Sequence, residues 1–599
     1  MLSFNASRII LKIDMIKLLL INNFFNSSIV NSRNEKSPPQ KNINAILKLF
    51  SSDLFSEALD SIDKLLTDYS HEELIFNIQG ACFAGLGQLD NAIKSYEHAI
   101  SIKPDYAKAH YNLAGAFQEV NQLNNAVQSY ERALTIEPKY AEAFNNLGNV
   151  FRELNQIEDA VRSYENALII NPQYIEAYFS LGVSNQDLGQ FEAAVKSYEK
   201  ALQIKPDFID ALNNLGITLK NLGKFDEAIK NYEKAIEIKP IFVEAHNNLG
   251  VLLMDLKQMD ESIKCFEQAL AIDFDNAEVH NNLGNVLKRL EQLDASSDCY
   301  ERAIAIKPDY AEAHNNLGIT LMDLGKVEEA VKSYERAVEF QPNYAEAYYH
   351  LGIAYQRSSN ESMSIKSFEM ALNIQPNYLE AQHMLNSLSG YTSKEPPRQY
   401  VEKLFDDYAE KFDESLVEEL GYRLPFFLKD IIHELGLANT KFEKVIDLGC
   451  GTGLSGNELI NFSKSLTGVD LSQNMISKAR DRGVYDNLII GDIVHTLKSA
   501  REKYDLFVAL DVLIYIGDIV DITNAIKDCC TEHSFLILSI ESQKDGGYSL
   551  LKTGRYSHSL EYVLNITSDN FQLIKVKEVN LRKENGKWIA GQIIILQAL

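Results

Sequence analysis

The stretch Lys444-Val-Ile-Asp-Leu-Gly-Cys-Gly-Thr-Gly453 joins an apolar run to a turn with glycine at every second position. Aliphatic residues followed by glycines predict a buried strand that ends in a tight turn, after which a helix begins. Glycine leaves the backbone bare, so a ligand can approach it closely at the first crossover of a parallel sheet. The stretch therefore predicts an α/β domain with a ligand site at the end of its first strand.

Further apolar runs follow this stretch and alternate with helical patterns. Strands separated by helices predict a doubly wound, mostly parallel sheet. We assign this domain to residues 401–599. The predicted strands are 444–448, 465–469, 487–490, 504–510, 535–540, 571–579 and 589–596.

The residues around the glycines narrow the ligand class. Asp447 precedes Gly449, Gly451 and Gly453, and the spacing is GxGxG instead of the GxGxxG of dinucleotide enzymes. This pattern resembles motif I of class I S-adenosylmethionine-dependent methyltransferases. The resemblance implies a Rossmann-like domain, S-adenosylmethionine as the cofactor, and these four residues as part of its binding site.

Three more aspartates stand at the ends of predicted strands, where the resemblance requires cofactor contacts. Asp470 ends the second strand, and a carboxylate there can accept both hydroxyls of a ribose. The resemblance implies that Asp492 holds the adenine amino group and that Asp511 lies beside the methyl-transfer site. The alternative for each is a helix N-cap, because strand-to-helix junctions favour aspartate.

Two flanking segments extend the resemblance over essentially the whole domain. Residues 405–413 and 420–425 are similar to the N-terminal helical lid of predicted methyltransferases that carry tetratricopeptide repeats, and residues 547–586 contain matches to the same family's tail. The resemblance implies that Tyr408 of the lid contacts the cofactor. A packed helix aromatic is the alternative.

The catalytic residues are predicted from the tail and from the end of the fourth strand. Methyl transfer is an in-line displacement, so alignment of the nucleophile with the methyl group, sometimes with one base, is the enzyme's main task. His558 is the predicted base, and Arg555 is a predicted clamp for a carboxylate or phosphate of the substrate. Tyr515 at the catalytic centre and Tyr556 on the substrate side are predicted to shape the pocket.

A 34-residue period precedes this domain. Mid-helix glycine costs about 1 kcal/mol relative to alanine, so its recurrence predicts a neighbouring helix packed against it. Prolines end each second helix, and glycines after the first helix, such as Gly87 and Gly189, are predicted C-terminal caps. The recurring residues are Gly148, Gly182, Gly216, Gly250, Gly284, Gly318 and Gly352, the predicted core aromatics Tyr96, Tyr130, Tyr164, Tyr198, Tyr232, Phe266, Tyr300, Tyr334 and Phe368, and Pro104, Pro138, Pro172, Pro206, Pro240, Pro308, Pro342 and Pro376.

This pattern resembles the tetratricopeptide repeat, so the predicted fold is an α-solenoid, a superhelix of helix hairpins, followed by the α/β domain. We place the array at 39–390, with a degenerate cap at 39–72, nine regular repeats at 73–378 and a capping helix at 379–388. A linker is predicted at 391–400 and a poorly ordered N-terminal arm at 1–38, with Met15 as an alternative start.

A polar residue recurs on the first helix of most repeats, where a stacked array has its groove. An amide has two donors and an acceptor, so a ladder of amides can grip the backbone of an extended peptide. The repeat arrays of O-linked N-acetylglucosamine transferases, which these repeats resemble, use such a ladder. The alternative is that the amides bond neighbouring repeats or water. The series is Asn112, Asn146, Asn214, Asn248, Asn282 and Asn316, interrupted by Ser180.

Composition limits the partners. The 599 residues carry a net charge of −26, with 84 acidic against 58 basic side chains, which gives no general support for nucleic-acid binding. Residues 511–515 also lack the [DNS]PP[YFW] motif of amino-methylating DNA enzymes. No run is apolar enough for a membrane helix, and the six cysteines form neither a disulfide framework nor a zinc site, so we expect a cytoplasmic location without a metal.

The sequence therefore predicts a methyltransferase whose repeat array recruits a protein or peptide, as the substrate or as a tether. The alternative is a repeat scaffold whose methyltransferase domain is catalytically idle or senses the cofactor. Neither the methyl acceptor nor the oligomeric state is defined by the sequence.

Overall fold

The computed structural model describes residues 38–437, 440–584 and 586–599. These residues divide into two compact units, of which the first ends at Val286 and the second begins at Leu287. The predicted N-terminal arm falls outside the described residues, apart from Pro38. The first unit contains helix hairpins only. The second contains the remaining hairpins and an α/β domain. Within the described residues, no helix has the length and apolar character needed to cross a bilayer.

The repeats are helix hairpins, as the period predicts. A first hairpin comprises Gln40–Ser51 and Phe55–Leu66, and a single helix, Leu379–Ser389, follows the last repeat. The first helices of the repeats are Glu73–Gly85, Ala107–Glu119, Ala141–Glu153, Ile175–Asp187, Ile209–Asn221, Val243–Asp255, Ala277–Arg289, Ala311–Asp323 and Ala345–Arg357. The second helices are Leu89–Ile102, Leu123–Ile136, Ile157–Ile170, Phe191–Ile204, Phe225–Ile238, Met259–Ile272, Leu293–Ile306, Val327–Phe340 and Glu361–Ile374.

In most repeats the hairpin closes on a contact between a glycine of the first helix and an aromatic ring of the second. A Cβ at Gly182 would come within 2.5 Å of the ring of Tyr198, and one at Gly216 within 2.5 Å of Tyr232. These rings are fully buried or nearly so. The predicted close packing at the glycines, and the predicted aromatic core, are therefore confirmed.

The turns inside the hairpins depend on left-handed backbone. Gly87 and Gly189 follow first helices with φ of +71° and +70°. Other repeats place Asn121, Asn155 or Lys257 at the same position with φ of 59–61°. Glycine enters this conformation without strain, which confirms the predicted caps and shows that the position tolerates other residues.

The α/β domain contains nine strands among the described residues: β1 Val445–Leu448, β2 Leu466–Asp470, β3 Asn487–Ile490, β4 Tyr504–Ala509, β5 Cys530–Glu541, β6 Tyr548–Leu550, β7 Tyr556–His558, β8 Phe571–Glu584 and β9 Lys587–Ala598. Seven of them form a sheet in the order β3-β2-β1-β4-β5-β9-β8. Strands β1 to β5 are parallel, whereas β9 runs antiparallel to β5 and β8 runs antiparallel to β9. This confirms the mostly parallel sheet.

Numbered within this domain, the helices cover both faces of the sheet. Alternate residues of β4 enter two cores: Phe507 and Ala509 lie in one, Leu506 and Val508 in the other. The α-helices are α1 Arg398–Tyr408, α2 Leu424–Glu434, α3 Leu454–Leu459, α4 Gln473–Arg482, α5 Ile493–Ser499, α6 Val520–Asp528 and α7 Leu560–Thr567; Glu414–Glu419 is a π-helix, and Ile460–Phe462 and Leu513–Tyr515 are 3₁₀ turns.

Two features differ from the predictions. Helix α1 begins at Arg398, inside the predicted linker, because Pro397 precedes its first turn. Strands β6 and β7 form a small hairpin that the prediction lacks. Its strands are only three residues long, too short for an alternation pattern to reveal them.

Candidate functional site

The turn after β1 has the open backbone that the glycines predict. Gly449, Gly451 and Gly453 have φ of +71°, +52° and +91°, a region that strains other residues. A Cβ at Gly449 would also come within 2.4 Å of Val512 Cγ2. The turn therefore depends on glycine for both conformation and space.

Asp447 lies at the base of this turn with almost no exposed surface. Its Oδ2 accepts a hydrogen bond from the hydroxyl of Tyr485 at 2.7 Å. Burial raises the pKa of Asp447 to about 7, the Tyr485 hydrogen bond opposes this shift, and Asp470 adds to it. Desolvation thus outweighs the one hydrogen bond, and the carboxyl titrates near neutral pH.

Asp470 is the last residue of β2 and ties the glycine turn to the adjacent strand. Its Oδ2 accepts from the backbone N–H of Gly451 at 2.9 Å, and its Oδ1 accepts from Ser472 N–H at 2.9 Å. Burial raises the pKa of Asp470, and these backbone donors oppose the shift. The structure therefore brings the two predicted carboxyls, Asp447 and Asp470, to adjacent strand ends.

Part of the segment that follows the repeats lies against the glycine turn. The ring of Phe412 lies 3.6 Å from where a Cβ of Gly451 would stand. Asp413 accepts hydrogen bonds from Thr452 in the turn and from Arg482 of α4. Tyr408 packs edge-on against Phe412, with ring centroids 5.6 Å apart. This contact agrees with the alternative interpretation of Tyr408, in which it is a packed helix aromatic.

Asp492 acts as a helix N-cap. Its Oδ1 accepts from the backbone N–H of His495 at 2.8 Å, in the first turn of α5. This is the alternative role that a strand-to-helix junction offers. Asp470 does not take it, because Ser472 caps α4.

Asp511 belongs to a buried ionic cluster. Arg582, with 4% of its surface exposed, donates to Asp511 at 2.8 Å and to Glu541 at 3.0 Å. Arg555 pairs with Glu584 and lies 3.9 Å from Glu541. Asp511 also has φ of 58°, and its N–H donates to Ser539 Oγ at 2.8 Å. Left-handed backbone strains an aspartate locally. The hydrogen bonds of this cluster hold Asp511 in that conformation.

The sequence reading missed Glu541, Arg582 and Tyr485. Glu541 ends β5, so the argument applied to the other strand ends could have found it, but the predicted strand stopped at Ile540. Arg582 lies in a segment that resembles the family's tail, yet no role followed from the match. No sequence pattern marks Tyr485 as a site residue, and its position between a helix and a strand is its one distinguishing feature.

Tyr515 and Arg555 lie near the ionic cluster around Asp511. Tyr515 is half-buried and packs edge-on against Phe405 of α1, with ring centroids 5.0 Å apart. Burial raises the pKa of Tyr515, and Arg555 partly opposes the shift. Arg555 Nε is buried without a hydrogen-bond partner. These two predicted site residues therefore lie in one neighbourhood, close to the ionic cluster.

Tyr556 and His558 are buried on strand β7. The Tyr556 hydroxyl bonds Ser393 Oγ at 2.7 Å, and burial raises its pKa to about 12. His558 has no exposed surface, its Nε2 bonds the carbonyl of Gly517 at 2.9 Å, and burial lowers its pKa. A general base must reach its substrate, so this arrangement gives no support to His558 as the base.

Strand β7 and its preceding loop also contact the last repeats, within unit 287–599. His383 Nε2 bonds the carbonyl of Gly554 at 2.8 Å, and Lys552 pairs with Glu361. Lys411 of the lid pairs with Glu291 at 2.8 Å. The segment that carries Arg555 and Tyr556 is therefore held against the repeats that precede it.

The predicted partner-binding asparagines form hydrogen bonds between repeats. Each bonded amide nitrogen meets a side chain 35 residues earlier in the chain. The bonds run from Asn112 to Asn77 at 3.0 Å, from Asn146 to Tyr111 at 2.8 Å, from Asn248 to Asn213 at 3.0 Å and from Asn282 to Asn247 at 2.9 Å. Asn214 and Asn316 are half-buried at the same position. These bonds agree with the alternative interpretation of the series, in which the amides bond neighbouring repeats.

Comparisons with known proteins agree with these two folds. The TPR repeat model matches residues 83–121, 116–151, 148–189, 185–223, 252–291, 284–325 and 320–359, and two tetratricopeptide models match 209–242 and 345–378. A methyltransferase domain model matches residues 445–532. That match includes the glycine turn and the four strand-end aspartates.

Several curated proteins align with parts of the chain. An uncharacterized methyltransferase of Schizosaccharomyces pombe is 31% identical over 14% of this chain and 32% of its own length. A ubiquinone biosynthesis O-methyltransferase of Coxiella burnetii is 28% identical over 27% and 69%. The peroxisomal targeting signal receptor of Saccharomyces cerevisiae is 32% identical over 12% and 13%.

The chain spans a third or less of the length of the first curated relatives that it matches. The family models and the fold nevertheless agree on both parts of the molecule. The chain combines tetratricopeptide repeats with a methyltransferase domain of class I architecture.

Proposed function

We propose that the chain is an S-adenosylmethionine-dependent methyltransferase whose repeats recruit a protein or peptide, as the substrate or as a tether. The observation that carries the proposal is the pair of buried carboxyls, Asp447 and Asp470, beside the glycine turn. Burial raises the pKa of both. A ligand that brings positive charge and hydrogen-bond donors would offset the cost of keeping them ionised.

S-adenosylmethionine suits these residues in charge and shape. It carries an ammonium and a sulfonium group, whose positive charge the Asp447 carboxylate would stabilise. It also carries a ribose diol, whose two hydroxyls would donate hydrogen bonds to Asp470. Because Gly449, Gly451 and Gly453 carry no side chain, the backbone of the turn is open to close approach by a ligand. Asp492 uses Oδ1 as a cap, so Oδ2 is the atom proposed for the adenine amino group. When bound, the cofactor supplies an electrophilic methyl group.

The lid, Tyr515 and Arg555 would align the reactants. Phe412 lies against the turn, Tyr408 packs on Phe412, and together they would keep water from it. Tyr515 is the better-placed catalytic candidate, because it is half-buried beside the lid, whereas His558 is fully enclosed. Arg555 would bind a substrate carboxylate or phosphate only in competition with Glu584, and Tyr556 would need to leave Ser393. Alignment is the main contribution of such residues.

Calorimetric titration of the full-length chain with S-adenosylmethionine and S-adenosylhomocysteine tests the cofactor proposal. Asp470→Asn keeps an acceptor oxygen but removes the charge, and we expect it to weaken binding at least tenfold. Asp486→Asn is the matched control, because Asp486 accepts from Leu466 N–H at the opposite end of the same strand at 2.8 Å. We expect this variant to bind like the wild type.

The two outcomes separate the candidate functions. Micromolar binding that Asp470→Asn loses supports the enzyme and justifies a search for acceptors. No binding by the folded wild type contradicts the cofactor proposal and favours a scaffold.

We assign recruitment to the first helices of the repeats. They carry half-buried amides at regular spacing, and a relative with similar repeats is named a peroxisomal targeting signal receptor. Because the bonded amide nitrogens face the preceding repeat, a peptide would meet the amides mainly through their oxygens. We place the protein in the cytoplasm, since the six cysteines are all unpaired thiols.

Selection of a displayed random peptide library on the full-length chain tests recruitment. Peptides that bind the wild type should lose about tenfold in affinity to the double variant Asn248→Ala/Asn282→Ala. Asn231→Ala is the control, because Asn231 lies on a second helix and bonds only its own turn. Failure to select any peptide, or equal loss in the control, contradicts this assignment.

A further inference from the structure

Tyr485 occupies the space beneath the glycine turn. It lies between α4 and β3, and its side chain is mostly buried. A Cβ at Gly456 would come within 2.5 Å of its ring, and Cβ atoms at Gly453 and Gly468 would both come within 3.0 Å. Gly456 and Gly468 have no positive φ, so space, and not backbone conformation, accounts for glycine at these two positions.

The same side chain holds the buried carboxyl of the turn. The hydroxyl donates to Asp447 Oδ2 at 2.7 Å. Burial raises the pKa of Tyr485 far above its ordinary range, so the hydroxyl stays protonated and remains a donor. The ring thus fixes the turn on one side while the hydroxyl fixes the carboxyl on the other.

We propose that Tyr485 is a positioning residue of the cofactor site, which holds Asp447 as a carboxylate oriented toward the ammonium group of the cofactor. The proposal rests on the proposed cofactor function. It adds a residue outside the glycine turn and the strand-end aspartates, and it makes cofactor affinity depend on the Tyr485 hydroxyl and on pH.

The pH dependence follows from the groups that face Asp447. Burial and Asp470 favour its protonated form, and the Tyr485 hydrogen bond favours the carboxylate. Burial raises the pKa of Cys450 in the turn and of Tyr422 after the π-helix, and the charge of Asp447 adds to both shifts. Loss of the hydroxyl removes the one hydrogen bond that stabilises the charged form, so the carboxyl of Tyr485→Phe would protonate at a higher pH.

Calorimetric titration with S-adenosylhomocysteine between pH 6 and pH 9 tests the proposal. This probe keeps the ammonium group and is chemically stable. We expect wild-type affinity to fall below about pH 7, and we expect the fall in Tyr485→Phe to begin at a higher pH, with about tenfold weaker binding at pH 7. Phenylalanine retains the ring that fills the space at the glycines.

Tyr355→Phe is the matched control. Tyr355 donates to Glu335 Oε1 at 2.6 Å in a repeat, so the variant also loses a tyrosine–carboxylate bond but lies outside the methyltransferase domain. Its affinity should match the wild type at every pH. Thermal unfolding of each variant without ligand shows whether the domain is folded.

A double-mutant cycle with Asp447→Asn distinguishes positioning from general damage. The effect of Tyr485→Phe should vanish in the Asp447→Asn background, because the carboxylate it acts on is gone. If Tyr485→Phe does not fold, the single variant Asp447→Asn still tests the proposal, because it should remove the pH dependence of binding.

The failures are distinguishable. No binding by the wild type at any pH contradicts the proposed cofactor function. Wild-type binding that does not vary between pH 6 and pH 9, or a Tyr485→Phe profile that matches the wild type, contradicts the role of Tyr485 alone.

Discussion

Two glycine–tyrosine contacts in this molecule share a geometry and differ in consequence. In a repeat, the ring of Tyr198 lies 2.5 Å from where a Cβ of Gly182 would stand, and in the methyltransferase domain Tyr485 is equally close to Gly456. The hydroxyl of Tyr198 donates to the neutral amide of Gln186 at 3.1 Å. The hydroxyl of Tyr485 donates instead to a carboxyl whose pKa burial raises to about 7.

The difference shows how the two regions use buried polar groups. The repeats bury neutral groups, which need only hydrogen bonds, and they do so many times with small variations. The methyltransferase domain buries carboxyls and arginines around one site, at a cost in stability that a packed apolar core would avoid. Substitutions should therefore have unlike effects in the two regions.

The largest effect is expected for Arg582→Leu. This change leaves Asp511 and Glu541 buried without the guanidinium that pairs them, so the domain should lose about 3–5 kcal/mol in the free energy of unfolding. Urea denaturation followed by the fluorescence of Trp588, the one tryptophan of the chain, reports this domain.

Lys464→Ala is the control for Arg582→Leu. Lys464 pairs with Glu443, and both side chains are more than half exposed, so the change should be under about 0.5 kcal/mol. A loss for Arg582→Leu as small as this would show that solvent reaches the cluster and that its charges need no partner.

The next effect is expected for Gly182→Ala. The added methyl would overlap the ring of Tyr198, and overpacking of this kind costs about 1–3 kcal/mol. Gly115→Ala is the opposite case, because the nearest atom outside its own helix, the Tyr130 hydroxyl oxygen, lies 3.7 Å from where the new Cβ would stand. Thermal unfolding by circular dichroism should show destabilisation for the first variant and a small gain for the second. Equal effects would mean that the ring moves aside easily.

The repeat fold was predictable because the same evidence occurs many times. Glycine, aromatic and proline recur in phase, so a single unit with Phe274 in place of proline does not obscure the pattern. The contact between Gly182 and Tyr198 involves residues 16 apart on one hairpin, which is local enough for a period to reveal it.

The site was predictable only where function and backbone geometry coincide. Glycines and strand-end aspartates are visible because the turn and the sheet edge require those residue types at fixed spacing. The pairing of Asp511 with Arg582 joins residues 71 apart, and the bond from Tyr485 to Asp447 joins residues 38 apart. No local pattern reports such contacts, so the ionic cluster and the tyrosine emerged only from the structure.

Asp447→Asn should stabilise the methyltransferase domain without ligand. A carboxyl with an ordinary pKa of about 3.9 that is raised to about 7 in the fold costs stability in full above pH 7, and the cost fades as pH falls toward 4. Asparagine avoids this cost and can still accept from Tyr485. We expect a gain of about 1–2 kcal/mol at pH 8, measured by Trp588 fluorescence in urea, and a smaller gain at pH 5.5. A gain that does not shrink with pH would contradict the raised pKa.

The smallest effect concerns an interruption in the asparagine series. Asn248 donates to Asn213 of the preceding repeat, but Ser180 stands where the donor to Asn145 would be, and Asn145 Oδ1 is buried without a hydrogen-bond partner. Ser180→Asn should supply that donor. An added hydrogen bond to a buried acceptor contributes about 0.5–1 kcal/mol, which should appear as slower amide exchange over 141–187.

Two further variants serve as controls for the expected effect of Ser180→Asn. Asn248→Ala leaves Asn213 without its donor and should speed exchange in residues 209–255 by a similar amount. Ser180→Ala adds no donor and should leave exchange unchanged. If Ser180→Asn behaves like Ser180→Ala, the asparagines contribute little between repeats, and their regular spacing is better explained by the partner-binding role proposed above. If it slows exchange, the series stabilises the repeats, and loss of peptide binding in its variants must be measured against that loss of stability.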